Sequence, residues 1–144
     1  PPNAEIHKTA LGGEDSVTWK YFEKTEDAVQ QLQYDGYFVY SIEQVEGATK
    51  LQNLNESINL SSDNNRQNDG LTTEQSRESI SPITYGHPHY AVILGNEVKG
   101  VKQTVVDMCD GCLEIPQFGT KHSLNVSTTA GIVMWEFCKA LALK

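Results

Sequence analysis

The stretch TEDAVQQLQYDGYFVYSI, residues 25–42, constrains the fold more than any other part of the chain. Thr25 stands where a helix cap would stand, and Glu26 and Asp27 put negative charge in the first turn, where the helix dipole favours it. Ala28, Val29 and Leu32 form one apolar stripe. Gly36 then provides a stop that accepts positive φ. Tyr37-Phe38-Val39-Tyr40-Ser41-Ile42 follows at once, aromatic and β-branched, and reads as a strand. The rhythm returns downstream. Tyr90-Ala91-Val92-Ile93-Leu94 reads as a buried strand, and Val98 to Cys109 as a helix with Val98, Val101, Val105 and Met108 on its apolar side. Asp110-Gly111 ends that helix. Cys112-Leu113-Glu114-Ile115 is a short strand stopped by Pro116. After a loop from Gln117 to His122, a long helix runs from about Leu124 to Leu143, with Val126, Ala130, Val133, Met134, Phe137 and Leu141 on one side. Strands alternating with helices predict an α/β fold with a mainly parallel sheet and helices on both faces.

The remaining segments are weaker. Residues Pro1 to Ser16 look irregular, with Ile6 and Leu11 as anchors. Trp19, Tyr21 and Phe22 suggest a short strand or a packed turn. From about residue 53 to residue 89, Asn, Ser, Asp, Glu, Gln and Thr dominate, with Gly70 and Pro82 as breakers. Unstructured loops of such length are uncommon inside compact domains. A surface insertion is the expectation, and a functional lid is the alternative. With 144 residues the chain suits a single domain. It holds no apolar run of membrane-spanning length. It lacks the basic-then-apolar start of a signal peptide and opens without Met, which suggests a processed or truncated product. Three cysteines, an odd count, argue against a disulfide framework and for a reducing, cytoplasmic setting. The Asn-x-Ser sequons at Asn55, Asn59 and Asn125 then read as chance. The net charge of −8 weighs against a broadly basic nucleic-acid surface but leaves room for a local patch.

Two segments carry chemistry: Ile93-Leu94-Gly95-Asn96-Glu97-Val98-Lys99-Gly100, and Ile115-Pro116-Gln117-Phe118-Gly119 with Ser123-Leu124-Asn125-Val126-Ser127. Each lies where a strand ends and a helix is expected. In open α/β sheets that edge binds ligands, and free N–H groups at a helix start hold polar ones. Gly95, Gly100 and Gly119 permit close backbone approach. Taken singly, Ser123 or Asn125 reads as a helix cap and Glu97 as turn decoration.

In combination, the order strand, L-G-N-E-x-x-G, helix, strand, I-P-x-x-G, S-L-N-V-S, helix resembles the second and third signature motifs of the SpoU (TrmH-like) family of RNA ribose 2′-O-methyltransferases in the SPOUT superfamily. Residues Tyr37 to Glu43 resemble the strand before that family's first cofactor loop. The resemblance implies a C-terminal trefoil knot whose loops bind S-adenosylmethionine mainly through backbone groups, so that no G-x-G-x-x-G fingerprint is needed. It implies a cofactor site lined by Ser41, Ile42, Leu94, Gly95, Asn96, Glu97, Gly100, Ile115, Pro116, Gln117, Ser123, Leu124 and Val126. Glu97, Ser123 and Asn125 would organise catalysis. It also implies tRNA or rRNA as substrate, a homodimer, and neither membrane nor metal as partner.

The chain departs from the family pattern in one respect. The first motif, an Asn-containing stretch followed by Arg, has no match here, and the only arginines are Arg66 and Arg77 in the polar tract. The expectation is a methyltransferase domain incomplete at its N-terminus, with a non-catalytic RNA- or cofactor-binding remnant as the alternative. Cys109-Asp110-Gly111-Cys112 has the C-x-x-C form of a zinc or redox pair. It has no second pair to complete four ligands, and it falls where a helix gives way to a strand. His87-Pro88-His89 reads as solvated loop, and Lys121 and His122 as weak candidates for contact with RNA.

Overall fold

The computed structural model describes residues 13–58, 89–96, 98–119 and 124–142. In chain order the elements are α1 (Thr25–Tyr34), β1 (Tyr37–Ile42), β2 (Thr49–Lys50), β3 (His89–Leu94), α2 (Gln103–Val106), β4 (Gly111–Glu114) and α3 (Val126–Ala142). The four strands form one sheet in the order β2-β4-β1-β3, and every pairing is parallel. Ile42 lies opposite both Leu94 and Leu113, so β1, β3 and β4 run out at one common edge.

Both faces of the sheet are covered, and β1 shows why. Phe38, Tyr40 and Ile42 point to one side. There Tyr40, Leu113, Leu51, Leu54, Ile58, Val133, Phe137 and Ala140 form the larger core, joined by Tyr90 and Val92. The alternate residues face the other side, where Val39 packs with Val29 of α1 and Val105 of α2, flanked by Ala91 and Ile93. A strand buried on both faces carries apolar or aromatic residues at nearly every position, as parallel sheets do, and in β1 Ser41 is the one exception. The first core is unusually aromatic: the Tyr40 ring lies 4.7 Å from Phe38 and 5.8 Å, edge-on, from Phe137. The Tyr40 hydroxyl is satisfied by Ser57 Oγ at 2.8 Å. Asp110 extends the ladder before β4 begins, its carboxylate accepting the Val39 N–H at 2.8 Å.

Several expectations need correction. Thr25 is the first residue of α1 rather than its cap; Lys24 holds the cap position and offers no side-chain hydrogen bond. Gly36 does stop the helix, at φ +83°. The aromatic stretch around Trp19 and Tyr21 is neither strand nor packed turn, and both rings are exposed. The helix expected from Val98 shrinks to Gln103–Val106, because Gly100 takes φ +65° and breaks the turn before it; Val98 stands exposed. Residues 51–58 are helical, and Leu51, Leu54 and Ile58 are buried, so this end of the polar tract belongs to the core. The rest of the tract, with Arg66, Arg77 and His87, lies outside the described residues. On α3, Val133, Phe137 and Ala140 face inward, while Met134 and Leu141 are exposed.

Candidate functional site: a cavity at the carboxyl edge of the sheet

A cavity of about 560 Å³ opens where β1, β3 and β4 end. Three chain segments line it. Ile42, Glu43, Gln44 and Val45 follow β1. Leu94, Gly95, Asn96, Val98, Lys99, Gly100, Val101 and Gln103 follow β3. Ile115, Gln117, Leu124, Val126 and Thr129 follow β4. The parallel register creates this meeting point, since each strand delivers its following loop to the same edge.

The loop after β3 is a closed turn. Gly100 N–H donates to the Asn96 carbonyl at 2.7 Å, and Asn96 N–H donates to the Gly100 carbonyl at 3.2 Å. The Asn96 side chain accepts the Val98 N–H at 2.9 Å. The glycines are needed for packing within the protein. A Cβ on Gly95 would run into the backbone of Gly100 and Val101, and one on Gly100 would run into the Glu43 carboxylate. Glu43 reaches the turn from β1, its Oε2 accepting the Val101 N–H at 2.8 Å. Glu43 and Lys99 are the charged side chains lining the cavity among the described residues.

Of the residues singled out from sequence, Ile42, Leu94, Gly95, Asn96, Gly100, Ile115, Gln117, Leu124 and Val126 come together around this cavity. Ser41 does not reach it. It is fully buried on the opposite side of β1, its hydroxyl 3.5 Å from the Gly111 carbonyl. Pro116 and Asn125 sit between lining residues without lining the cavity themselves. Asn125 Oδ1 accepts the Ser127 N–H at 2.9 Å and the Ser127 hydroxyl at 2.5 Å, the geometry of a helix cap. Glu97 and Ser123 lie outside the described residues. Gln44, Val45, Gln103 and Thr129 were not singled out from sequence, and Glu43 and Lys99 stood inside quoted stretches with no site role assigned to them. Register alone could have suggested Glu43, which directly follows the end of β1.

The C-x-x-C thiols are free and partly buried. Cys109 Sγ donates to the Val105 carbonyl at 3.2 Å, and Cys112 Sγ approaches the Glu43 carbonyl at 3.6 Å. Burial pushes the Cys109 thiol above its ordinary range, against a lowering contribution from the Ser41 hydroxyl. Among the described residues no group of three His, Cys, Asp or Glu side chains is placed to hold a metal ion. Among them, too, no helix is long and apolar enough to cross a membrane.

A parallel α/β sheet whose strand ends surround one ligand-sized cavity is the architecture of a cofactor- or substrate-binding domain. The chain belongs to the SpoU rRNA Methylase family, whose model matches residues 1–135. It is 37% identical over 68 residues to the tRNA (guanosine(18)-2′-O)-methyltransferase of Aquifex aeolicus, covering 46% of this chain and 32% of that protein. Its fold is similar to the crystal structure of the A. aeolicus TrmH/SpoU tRNA modifying enzyme, with TM-score 0.60 and 19% identity, covering 90% of this chain and 51% of that one. It is also similar to an AdoMet-bound rRNA methyltransferase from Sinorhizobium meliloti, with TM-score 0.53 and 20% identity, covering 81% of this chain and 33% of that one. The sequence match thus spans about a third of the length of the A. aeolicus methyltransferase, and the structural match about half of the A. aeolicus structure.

Proposed function

We propose that this chain carries the S-adenosylmethionine-binding part of an RNA ribose 2′-O-methyltransferase acting on tRNA or rRNA. The observation that carries the reading is the single cavity built from the L-G-N and I-P-x-x-G loops together with the start of α3. Its size falls within the range of small-molecule sites. Its composition fits the cofactor: Ile42, Val45, Leu94, Ile115, Leu124 and Val126 offer an apolar slot for an adenine, and Gln44, Asn96 and Gln117 offer polar groups for the ribose and amino-acid parts. When bound, the cofactor supplies an activated methyl group on a positively charged sulfur.

The chain's own residues would then position and deprotonate. A ribose 2′-hydroxyl is a weak nucleophile, so it must be held in line while its proton is drawn away. Asn125, Ser123 and Glu97, by their family positions, would organise that hydroxyl. Asn125 already has its Oδ1 committed to Ser127, which leaves its amide N–H groups to donate. Lys99, exposed on the cavity rim, would meet an RNA phosphate and supply local positive charge on an acidic chain.

The topology supports a knotted connection. β1 and β2 are joined by residues 43–48 alone, yet β4 lies between them, so that short link crosses the carboxyl end of β4. Among the described residues no strand pairs with the outer side of β3, an edge that a further strand would cover. Exposed Met134, Trp135 and Leu141 on α3 fit a homodimer seam. The three free thiols fit the cytoplasm, where tRNA and rRNA are modified.

The test is mass-spectrometric mapping of 2′-O-methylated nucleotides in tRNA and rRNA from cells with and without the gene. One modification should vanish on deletion and return with the wild-type gene but not with Asn125→Ala. An unchanged methylation map would reject the reading. Cofactor binding without any methyl transfer would favour the non-catalytic alternative.

A further inference from the structure

We infer that Glu43 is a positioning residue, whose carboxylate holds the turn after β3 in the shape that makes the cavity. The inference rests on the cofactor-binding reading above and assigns a role to a residue outside the L-G-N-E and S-L-N-V-S motifs. Four observations converge on it. Glu43 Oε2 accepts the Val101 N–H at 2.8 Å, across 58 positions of sequence. Its Oε1 accepts the Gln44 N–H at 3.1 Å, which fixes the carboxylate plane. The space a Cβ on Gly100 would need is taken by the same carboxylate, so the turn is moulded around it. Its backbone is bound too: Glu43 N–H donates to the Leu113 carbonyl at 3.1 Å, and the Cys112 thiol approaches its carbonyl. Glu43 therefore touches the ends of β1 and β4 and the turn after β3, the three places from which the cavity is lined.

This arrangement has a physical consequence. Among the described residues, the turn's own hydrogen bonds join Asn96 to Gly100, and the Val101 N–H at its exit is taken by Glu43. A carboxylate accepting that N–H forms a charge-assisted bond, stronger than a neutral one. Without it, the turn is free to swing away from Ile42 and the cavity loses one wall.

Two measurements on the full chain test this: amide hydrogen exchange without ligand, and S-adenosylmethionine affinity by calorimetry. In Glu43→Ala, exchange across residues 96–101 should speed up about tenfold or more, as expected for loss of a hydrogen bond to a charged group, while β1 and β3 amides stay protected. Affinity should fall by a similar factor. Glu43→Gln keeps an acceptor oxygen but not the charge and should recover part of both losses. Gly100→Ala, which both strains a left-handed backbone and crowds the carboxylate, should also speed exchange across the turn. Wild-type protection and affinity in Glu43→Ala, or a Gln variant no better than Ala, would overturn the assignment. If the wild-type chain binds no S-adenosylmethionine, the functional reading falls, and the exchange measurement still decides whether Glu43 holds the turn.

Discussion

The strand β1 and the turn after β3 sit side by side at the sheet edge and are stabilised in opposite ways. In β1, Val39, Tyr40 and Ser41 are almost fully buried, and both neighbouring strands pair with it. Its order comes from the burial of apolar surface on two faces, a diffuse force spread over many contacts. In the turn, Asn96, Val98 and Lys99 are exposed, and order comes from a few hydrogen bonds and the absence of two β-carbons. The sheet should tolerate small changes of shape but not loss of volume. The turn should tolerate changes of volume at Val98 but not the addition of one methyl at Gly95.

Substitutions can break this contrast. The largest effect is expected in the core beneath β1. Leu113→Ala removes a side chain with no exposed surface from the middle of the sheet and should cost about 3–4 kcal/mol of stability in chemical denaturation. A loss below about 1 kcal/mol would show that the sheet is not held by this packing. Next comes Gly95→Ala, whose new methyl meets the Gly100–Val101 backbone. It should weaken S-adenosylmethionine binding about tenfold or more, since forced backbone displacement of this kind typically costs 1–3 kcal/mol. Unchanged affinity would mean that the turn does not shape the cavity. The smallest effect concerns Glu26 in the first turn of α1. Its carboxyl is held below the ordinary carboxylate range by a backbone hydrogen bond, helped by Lys102 and Thr104. A lowered value in the folded state means a contribution that is present above the unfolded pKa and lost as pH falls through the folded one. Titration by NMR should show Glu26 ionising at lower pH than a free glutamate, and Glu26→Gln should flatten a small part of the acid-side stability curve.

The same contrast explains what was legible in the sequence. Gly36, the run Tyr37–Ile42 and the run ending at Leu94 announced themselves, because diffuse burial leaves a local pattern of apolar residues and stops. The helix expected from Val98 misled, because Val98, Val101, Val105 and Met108 have helical spacing. Gly100 in the left-handed region overrides that spacing, held by its paired bonds with Asn96 and packed against Glu43, a residue distant in sequence. The role of Glu43 was hidden for a similar reason: nothing near it in the chain shows that it will meet Val101. Leu51, Leu54 and Ile58 were hidden in a polar neighbourhood, although their spacing of three and four residues matches one helix face. Two of the loops that line the cavity had been marked in the sequence as motifs through resemblance. Its walls from Gln44, Val45 and Gln103 required the sheet register.

The central claim is that three separate loops form one cofactor cavity, and backbone NMR during titration with S-adenosylmethionine tests it most directly. Saturable shift changes should cluster at residues 42–45, 94–101 and 115–129, with α1 undisturbed. An absence of saturable change, or changes centred on α1 and the far end of the sheet, would contradict it.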